Sequence, residues 1–280
     1  LIFFKKTLMF QAHKEEQLMN QQQNRSDLSQ DSKPRGVYLL PNLLTTAALF
    51  SGFYSIIAAV KGNFDVAAIA IYIAMVADAL DGRVARMTNT QTAFGAEYDS
   101  LSDMVAFGVA PALLVYSWSL SSLGKLGWLA AFLYTAATAL RLARFNTQAD
   151  HDVDRRYFQG IPSPAAAGVV AGTAWFSASN NIAASWYLAI PIALLTVFVA
   201  ALMVSTIRYH SFKKIDFTGK VPFIAAVVLI VGLTAIALDP PEMLFGIFFG
   251  YALSGPVLTL WQLRKMRRLA ADVRKKKKST

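Results

Sequence analysis

The chain has no cysteine among its 280 residues. Disulfides, thiolate zinc sites and cysteine nucleophiles are therefore excluded. Histidine is scarce. His13, His151 and His210 are far apart in sequence, and none stands in an H-x-K arrangement. A covalent phosphohistidine mechanism of that type lacks its parts, and each histidine reads as a surface residue. No internal repeat and no second soluble domain is visible. Acidic residues are outnumbered, 17 against 27 Lys and Arg, which leaves a net charge of +10. What is abundant is hydrocarbon. Hydrophobic residues make up 55% of the chain, and the mean hydropathy is +0.41. That composition belongs to a multi-span membrane protein.

Eight hydrophobic segments are long enough to span a bilayer, at roughly 38–60, 64–86, 99–120, 126–146, 163–180, 183–206, 220–238 and 242–263. The fold class expected is all-α, a polytopic helical bundle. The loops alternate in charge. One side receives Lys5, Lys6, Lys14, Arg25, Lys33 and Arg35, then Arg83 and Arg86, Arg141, Arg144, Arg155 and Arg156. It also receives Arg208, Lys213, Lys214, Lys220 and the C-terminal run from Arg264 to Lys278, whereas the other side receives only Lys61 and Lys125. The positive-inside rule then places both termini in the cytoplasm, in a multi-pass protein of the cytoplasmic membrane. This placement argues against a nucleic-acid partner. Residues 1–36 read as a disordered polar tail, 37–265 as a transmembrane catalytic domain and 266–280 as a basic tail, either solvated or against anionic headgroups. Leu1 to Phe4 is too short for a signal-peptide core, and Met9 and Met19 are candidate starts.

Four aspartates stand out against this apolar background. Asp78 and Asp81 are spaced i, i+3, and Asp99 and Asp103 are spaced i, i+4. Each spacing puts two side chains on one helix face. Carboxylates at the membrane edge are costly and need partners. Four of them together repel unless cations intervene. Oxygen ligands without Cys or nearby His favour a hard divalent ion, Mg²⁺ or Mn²⁺. The alternative is a pair of helices whose polar residues line a water pocket. Gly82 lets a backbone or nucleotide approach closely, and Ala85 keeps the same face open one turn later. Arg86 lies where its fork meets a phosphate. Gly95 precedes the third segment.

This run reproduces D-x-x-D-G-x-x-A-R-x8-G-x-x-x-D-x-x-x-D with every fixed position present. It resembles the signature of the CDP-alcohol phosphotransferases, integral membrane enzymes that move a phosphate-bearing group from a CDP-linked donor to an alcohol. The resemblance implies that Asp78, Asp81 and Asp99 are the main metal ligands for two ions. It implies that Asp103 is the general base and also a candidate ligand. CMP is the implied leaving group, and a homodimer the implied assembly.

Three further segments bear on the substrates. Asn42 and Thr45 share a face at the entrance to the first span, where they reach a nucleotide or simply cap the helix. Arg141 and Arg144, at i, i+3, face the height of the aspartates and suit a carboxylate, or else anchor the span. Gly160, Pro162 and Ser163 open the fifth span with rigid, irregular backbone. Arg141-Leu-Ala-Arg144-Phe-Asn146 followed by Phe158-Gln-Gly160-Ile-Pro162-Ser163-Pro resembles the membrane-embedded phosphatidylserine synthases. That likeness implies CDP-diacylglycerol as donor and L-serine as acceptor, with Asn42, Thr45, Gly82, Ala85, Arg86 and Gly95 toward the donor. Arg141, Arg144, Asn146, Gly160, Pro162 and Ser163 would lie toward serine. Other acceptors remain open: glycerol 3-phosphate, inositol phosphate, or choline caged by Phe145, Tyr157 and Phe158. An ion-coupled transporter would instead need mid-depth carboxylates and repeated halves.

Overall fold

The structure, a computed structural model, describes residues 35–90, 92–148, 157–182, 185–210 and 223–278. Most of the polar N-terminal tail, Arg155, Arg156, Lys213, Lys214 and Lys220 lie outside the described residues.

Helix α1 (Arg35–Val60) and helix α2 (Phe64–Met87) form an antiparallel hairpin. Gly62 turns the chain between them at φ +80, a conformation that favours glycine. Helix α3 (Ala93–Asp103) passes without a break into a π-helical turn, Met104–Val109, and then into α4 (Ala110–Trp118). A 3-10 turn at Leu120–Leu123 leads to α5 (Lys125–Gln148). Strand β1 (Tyr157–Gln159), α6 (Ser163–Ser179), α7 (Trp186–Val204) and strand β2 (Arg208–His210) follow. Helices α8 (Phe223–Leu238) and α9 (Pro240–Lys278) complete the order.

With α3, the π turn and α4 counted as one rod, the eight anticipated segments appear as eight helices. Among the described residues, five stretches have both the length and the apolarity to cross a membrane: Leu39–Val60, Ala93–Trp118, Lys125–Thr147, Trp186–Val204 and Pro240–Gln262. Helix α2 carries Asp65, Asp78, Asp81, Arg83 and Arg86, so its composition alone does not mark it as a span. Helices α6 and α8 are shorter, at 17 and 16 residues. Two boundaries differ from expectation. The third segment begins at Ala93 rather than 99, because the Thr92 side chain caps it by accepting the Gly95 N–H at 3.0 Å. Gly95 therefore sits inside the first turn. Helix α9 continues to Lys278, through the boundary expected at 265. The all-helical expectation also meets one small ribbon, in which β1 pairs antiparallel with β2 and Phe158 lies opposite Tyr209.

Small residues make the packing possible. Ala58, Ala59, Ala67, Ala68, Ala74, Ala106, Ala110, Ala166, Ala167 and Ala171 are all buried. Membrane helices associate through such close backbone approach rather than through a hydrophobic driving force. A Cβ on Gly52 would lie 2.6 Å from the Ala106 Cα. Helix α1 thus rests directly on the π turn. Tyr72 of α2 donates to the Gly168 carbonyl of α6 at 2.8 Å. Large apolar side chains are turned outward instead, among them Phe50, Val60, Val76, Leu140, Leu194 and Ile230. An apolar exterior of this kind fits hydrocarbon, not water.

Candidate active site

The site forms where the C-terminal half of α2 meets the second half of α3. Asp78, Asp99 and Asp103 are half-buried, and each offers a carboxylate oxygen within 4.8 Å of the other two. The i, i+4 spacing on α3 supplies two of them, and the α2 face supplies the third. Three hard oxygen donors this close fit a divalent cation of the Mg²⁺ type, and without one their charges oppose each other. The donor set therefore suits the metal its chemistry suggests.

Asp81 has a different setting. It is buried, and its Oδ2 accepts the Thr45 hydroxyl of α1 at 2.7 Å. The carboxylate is thus held by the neighbouring helix, and the Gly82 backbone N–H of its own helix also donates to it. Thr45, for which either a nucleotide contact or helix capping was expected, here anchors Asp81. Its backbone carbonyl in turn accepts Ser102 Oγ at 3.1 Å. Helix α1 is tied to both aspartate-bearing helices at this level. A further link joins Thr46 Oγ1 and Tyr98 OH at 2.9 Å.

The remaining donor-side residues divide. Gly82 faces open space: among the described residues, nothing would lie within 4 Å of a Cβ there. A Cβ on Gly95 would lie 3.6 Å from Asn42 Oδ1, so Asn42 and Gly95 are brought together. Ala85 is half-buried. Arg86 is exposed, and its Nε donates to the Gly82 carbonyl at 2.7 Å.

The two arginines of α5 part company. Arg141 lies among the acidic groups, close enough to Asp103 for their charges to interact. Its Nη1 donates to buried Ser163 Oγ at 2.7 Å, while its buried Nε has no hydrogen-bond partner among the described residues. Arg144 turns to the end of α7 instead. Its Nη1 donates to the Val204 carbonyl at 3.2 Å. Its Nη2 faces the carbonyls of Gln159 at 3.1 Å, Met203 at 3.3 Å and Ser205 at 3.4 Å. Asn146 pairs with Ser100 on α3, its Nδ2 donating at 3.0 Å. Gly160 adopts φ +78, and a Cβ there would collide with the Met203 carbonyl. Pro162 caps α6.

Two features had no signal in the sequence reading. The π-helical turn begins at the residue after Asp103. Such turns recur at functional sites, because one extra residue re-aims the side chains on either side. Its Phe107 carbonyl accepts Tyr134 OH of α5 at 3.0 Å. From α9, Tyr251 comes within electrostatic range of Arg141 and packs on Tyr209 with ring centroids 5.5 Å apart.

A helical bundle with membrane-length spans, a trio of convergent carboxylates and an adjoining arginine defines a membrane-embedded protein with a metal-competent acidic centre. Residues 38–257 match the CDP-alcohol phosphatidyltransferase family, and the chain belongs to it. It is similar to the CDP-diacylglycerol-serine O-phosphatidyltransferase of Helicobacter pylori (strain ATCC 700392 / 26695), at 35% identity over 231 residues, covering 82% of this chain and 94% of that one. The Mycobacterium leprae (strain TN) protein of the same name is 33% identical over 232 residues, covering 79% and 76%. An archaetidylserine synthase of Methanothermobacter thermautotrophicus is 34% identical over 181 residues, covering 64% and 72%.

Proposed function

We propose that the chain transfers a phosphatidyl group from CDP-diacylglycerol to L-serine, giving phosphatidylserine and CMP. The observation that carries this reading is the juxtaposition of the Asp78, Asp99 and Asp103 carboxylates with Arg141. A diphosphate donor calls for cations held by acids, and an amino-acid acceptor calls for a cation aimed at its carboxylate. Relatives named for serine products, on two kinds of lipid, support the choice of acceptor.

Asp78, Asp81, Asp99 and Asp103 would hold two divalent cations, Mg²⁺ or Mn²⁺. When bound, these cations neutralise the charge on the donor diphosphate. The chain's own residues do the rest. The open face at Gly82 and Ala85, with Asn42, Gly95 and Arg86, admits the CDP group. Thr45 serves the donor indirectly by holding Asp81. Arg141 pairs with the serine carboxylate, and Ser163 keeps its guanidinium in place. The serine hydroxyl oxygen attacks the phosphorus that bears diacylglycerol, and Asp103 accepts its proton. The bond from that phosphorus to the bridging oxygen breaks, and CMP leaves with the oxygen. The displacement is direct. The alternation of loop charges supports a site at the cytoplasmic edge of the cytoplasmic membrane, with both termini on that side; lipid tails would then stay in the bilayer while serine enters from water. A homodimer is the assembly expected by family likeness.

An acceptor panel tests the proposal. The protein, reconstituted with CDP-diacylglycerol and Mn²⁺, is offered serine, glycerol 3-phosphate, inositol, inositol phosphate or choline. Serine should become lipid-linked with equimolar CMP. Preference for any other acceptor overturns the assignment.

A further inference from the structure

Arg144 shares a helix face with Arg141, yet its fork is spent on main-chain carbonyls. Helix α7 ends at Val204 with Ser205 extended, at φ −63 and ψ 162. The last carbonyls of a helix lack intrahelical donors. Here they are filled from outside. The Leu202 carbonyl accepts the Ile161 N–H at 3.2 Å. The Met203, Val204 and Ser205 carbonyls accept from Arg144, as does that of Gln159. The Gly160 N–H reaches the Ile207 carbonyl at 2.8 Å. Three elements therefore meet at one guanidinium: the end of α5, the end of α7 and the turn from Gln159 to Ser163. A guanidinium carries five N–H donors in a planar fork, whereas an ammonium has three and no plane. The positive charge also suits a helix C-terminus.

The far end of that turn is Ser163, which accepts from Arg141 Nη1 at 2.7 Å. The turn is thus pinned at Gln159 by Arg144 and touches Arg141 at Ser163. Gly160 has no room for a Cβ against Met203, so the turn cannot slide along α7 without losing these bonds.

The geometry points to Arg144 as a positioning residue for acceptor specificity: by clamping the α7 terminus to the Gln159–Ser163 turn, it sets the pose in which Arg141 meets the acceptor carboxylate. This inference rests on the serine reading above. It assigns Arg144 no contact with substrate, and it adds the α7 terminus to the determinants of serine affinity, with Gly160 acting through the turn.

The experiment is a double-mutant cycle on the full chain in proteoliposomes with CDP-diacylglycerol and Mn²⁺. It compares wild type, Arg144→Lys, Arg141→Lys and the double variant. Arg144→Lys should raise the serine KM about tenfold, as for one weakened charge-assisted contact. The KM for CDP-diacylglycerol should stay within about twofold. In the Arg141→Lys background, the same change should raise the serine KM less than about twofold, since coupled residues are not additive. Gly160→Ala, which displaces the same turn without touching either arginine, should copy the selective rise in serine KM. Equal effects of Arg144→Lys in both backgrounds would overturn the inference. So would a matched rise in both substrates' KM accompanied by a lowered melting temperature, which marks a strut alone. Serine-dependent CMP release by the wild type, read in the same assay, separates the two levels. Its absence overturns the serine reading and this inference together. Its presence with additive arginine effects overturns only the inference.

Discussion

Asp78 and Asp81 on α2, and Arg141 and Arg144 on α5, are pairs with the same i, i+3 spacing. In each pair the first member stays with the acidic centre and the second is tied to a neighbouring helix. Asp81 is tied through one oxygen, by the Thr45 hydroxyl at 2.7 Å. Arg144 is tied through both terminal nitrogens, to four carbonyls. Spacing assigns a shared face, but the partner comes from whatever element packs there. The degree of tying also matters. A carboxylate held by one side-chain hydroxyl and one backbone N–H keeps lone pairs for a cation, whereas a guanidinium shared among four carbonyls is committed to the fold. The two second members should therefore fail in different ways.

The largest effect is expected at the carboxylates. Asp78→Asn, Asp81→Asn or Asp99→Asn should each abolish metal-dependent CMP release while the protein still inserts into membranes. Full activity of Asp81→Asn would break the comparison, because Asp81 would then be an anchor like Arg144. Next comes the proton. Asp103→Asn should bind CDP-diacylglycerol with little loss and turn over about 10² to 10⁴ times more slowly, the usual range for a missing general base. Exchange of labelled CMP into CDP-diacylglycerol without serine should be negligible in the wild type. Robust exchange would argue for a phosphatidyl-enzyme intermediate and against direct displacement.

A smaller and selective effect is expected at Arg141. Its replacement by Lys should raise the serine KM roughly tenfold to a hundredfold, matching the loss of a charge-assisted pair of about 1.5–3 kcal/mol. The KM for CDP-diacylglycerol should change little. The smallest effect belongs to Thr45→Val, which removes the hydroxyl from Asp81 at nearly constant volume. Loss of such an outer partner typically costs about 10- to 100-fold in metal affinity, and the low end is expected here because Asp78, Asp99 and Asp103 converge without it. Mn²⁺ titration followed by electron paramagnetic resonance would read this directly.

The aspartate spacing could be read in the sequence because it is local. Every fixed position lies between Asp78 and Asp103, and helical periodicity alone decides which side chains share a face. The eight helical segments were legible for the same reason, since hydrocarbon runs of that length have few other uses. What was hidden depends on distant pairings. Thr45 and Asp81 are 36 residues apart, and Arg144 meets carbonyls 59 to 61 residues away at the end of α7. The π turn after Asp103 carries no residue pattern of its own. It goes with the close approach of Gly52 to Ala106, and of Gly108 to Thr138, whose side chain would lie 3.2 Å from a Cβ on Gly108, both of which exist only in the packed bundle. The early start of α3 was the exception. Thr92 followed by Gly95 is a local cap, and its signal was present in the polar run before the span.

The most direct test of the account is CMP release from CDP-diacylglycerol in proteoliposomes, measured with and without serine and with and without a divalent-metal chelator. Release is expected only when serine is present and the chelator absent, with one phosphatidylserine formed for each CMP. Release that persists in excess chelator, or that proceeds equally well without serine, would contradict it.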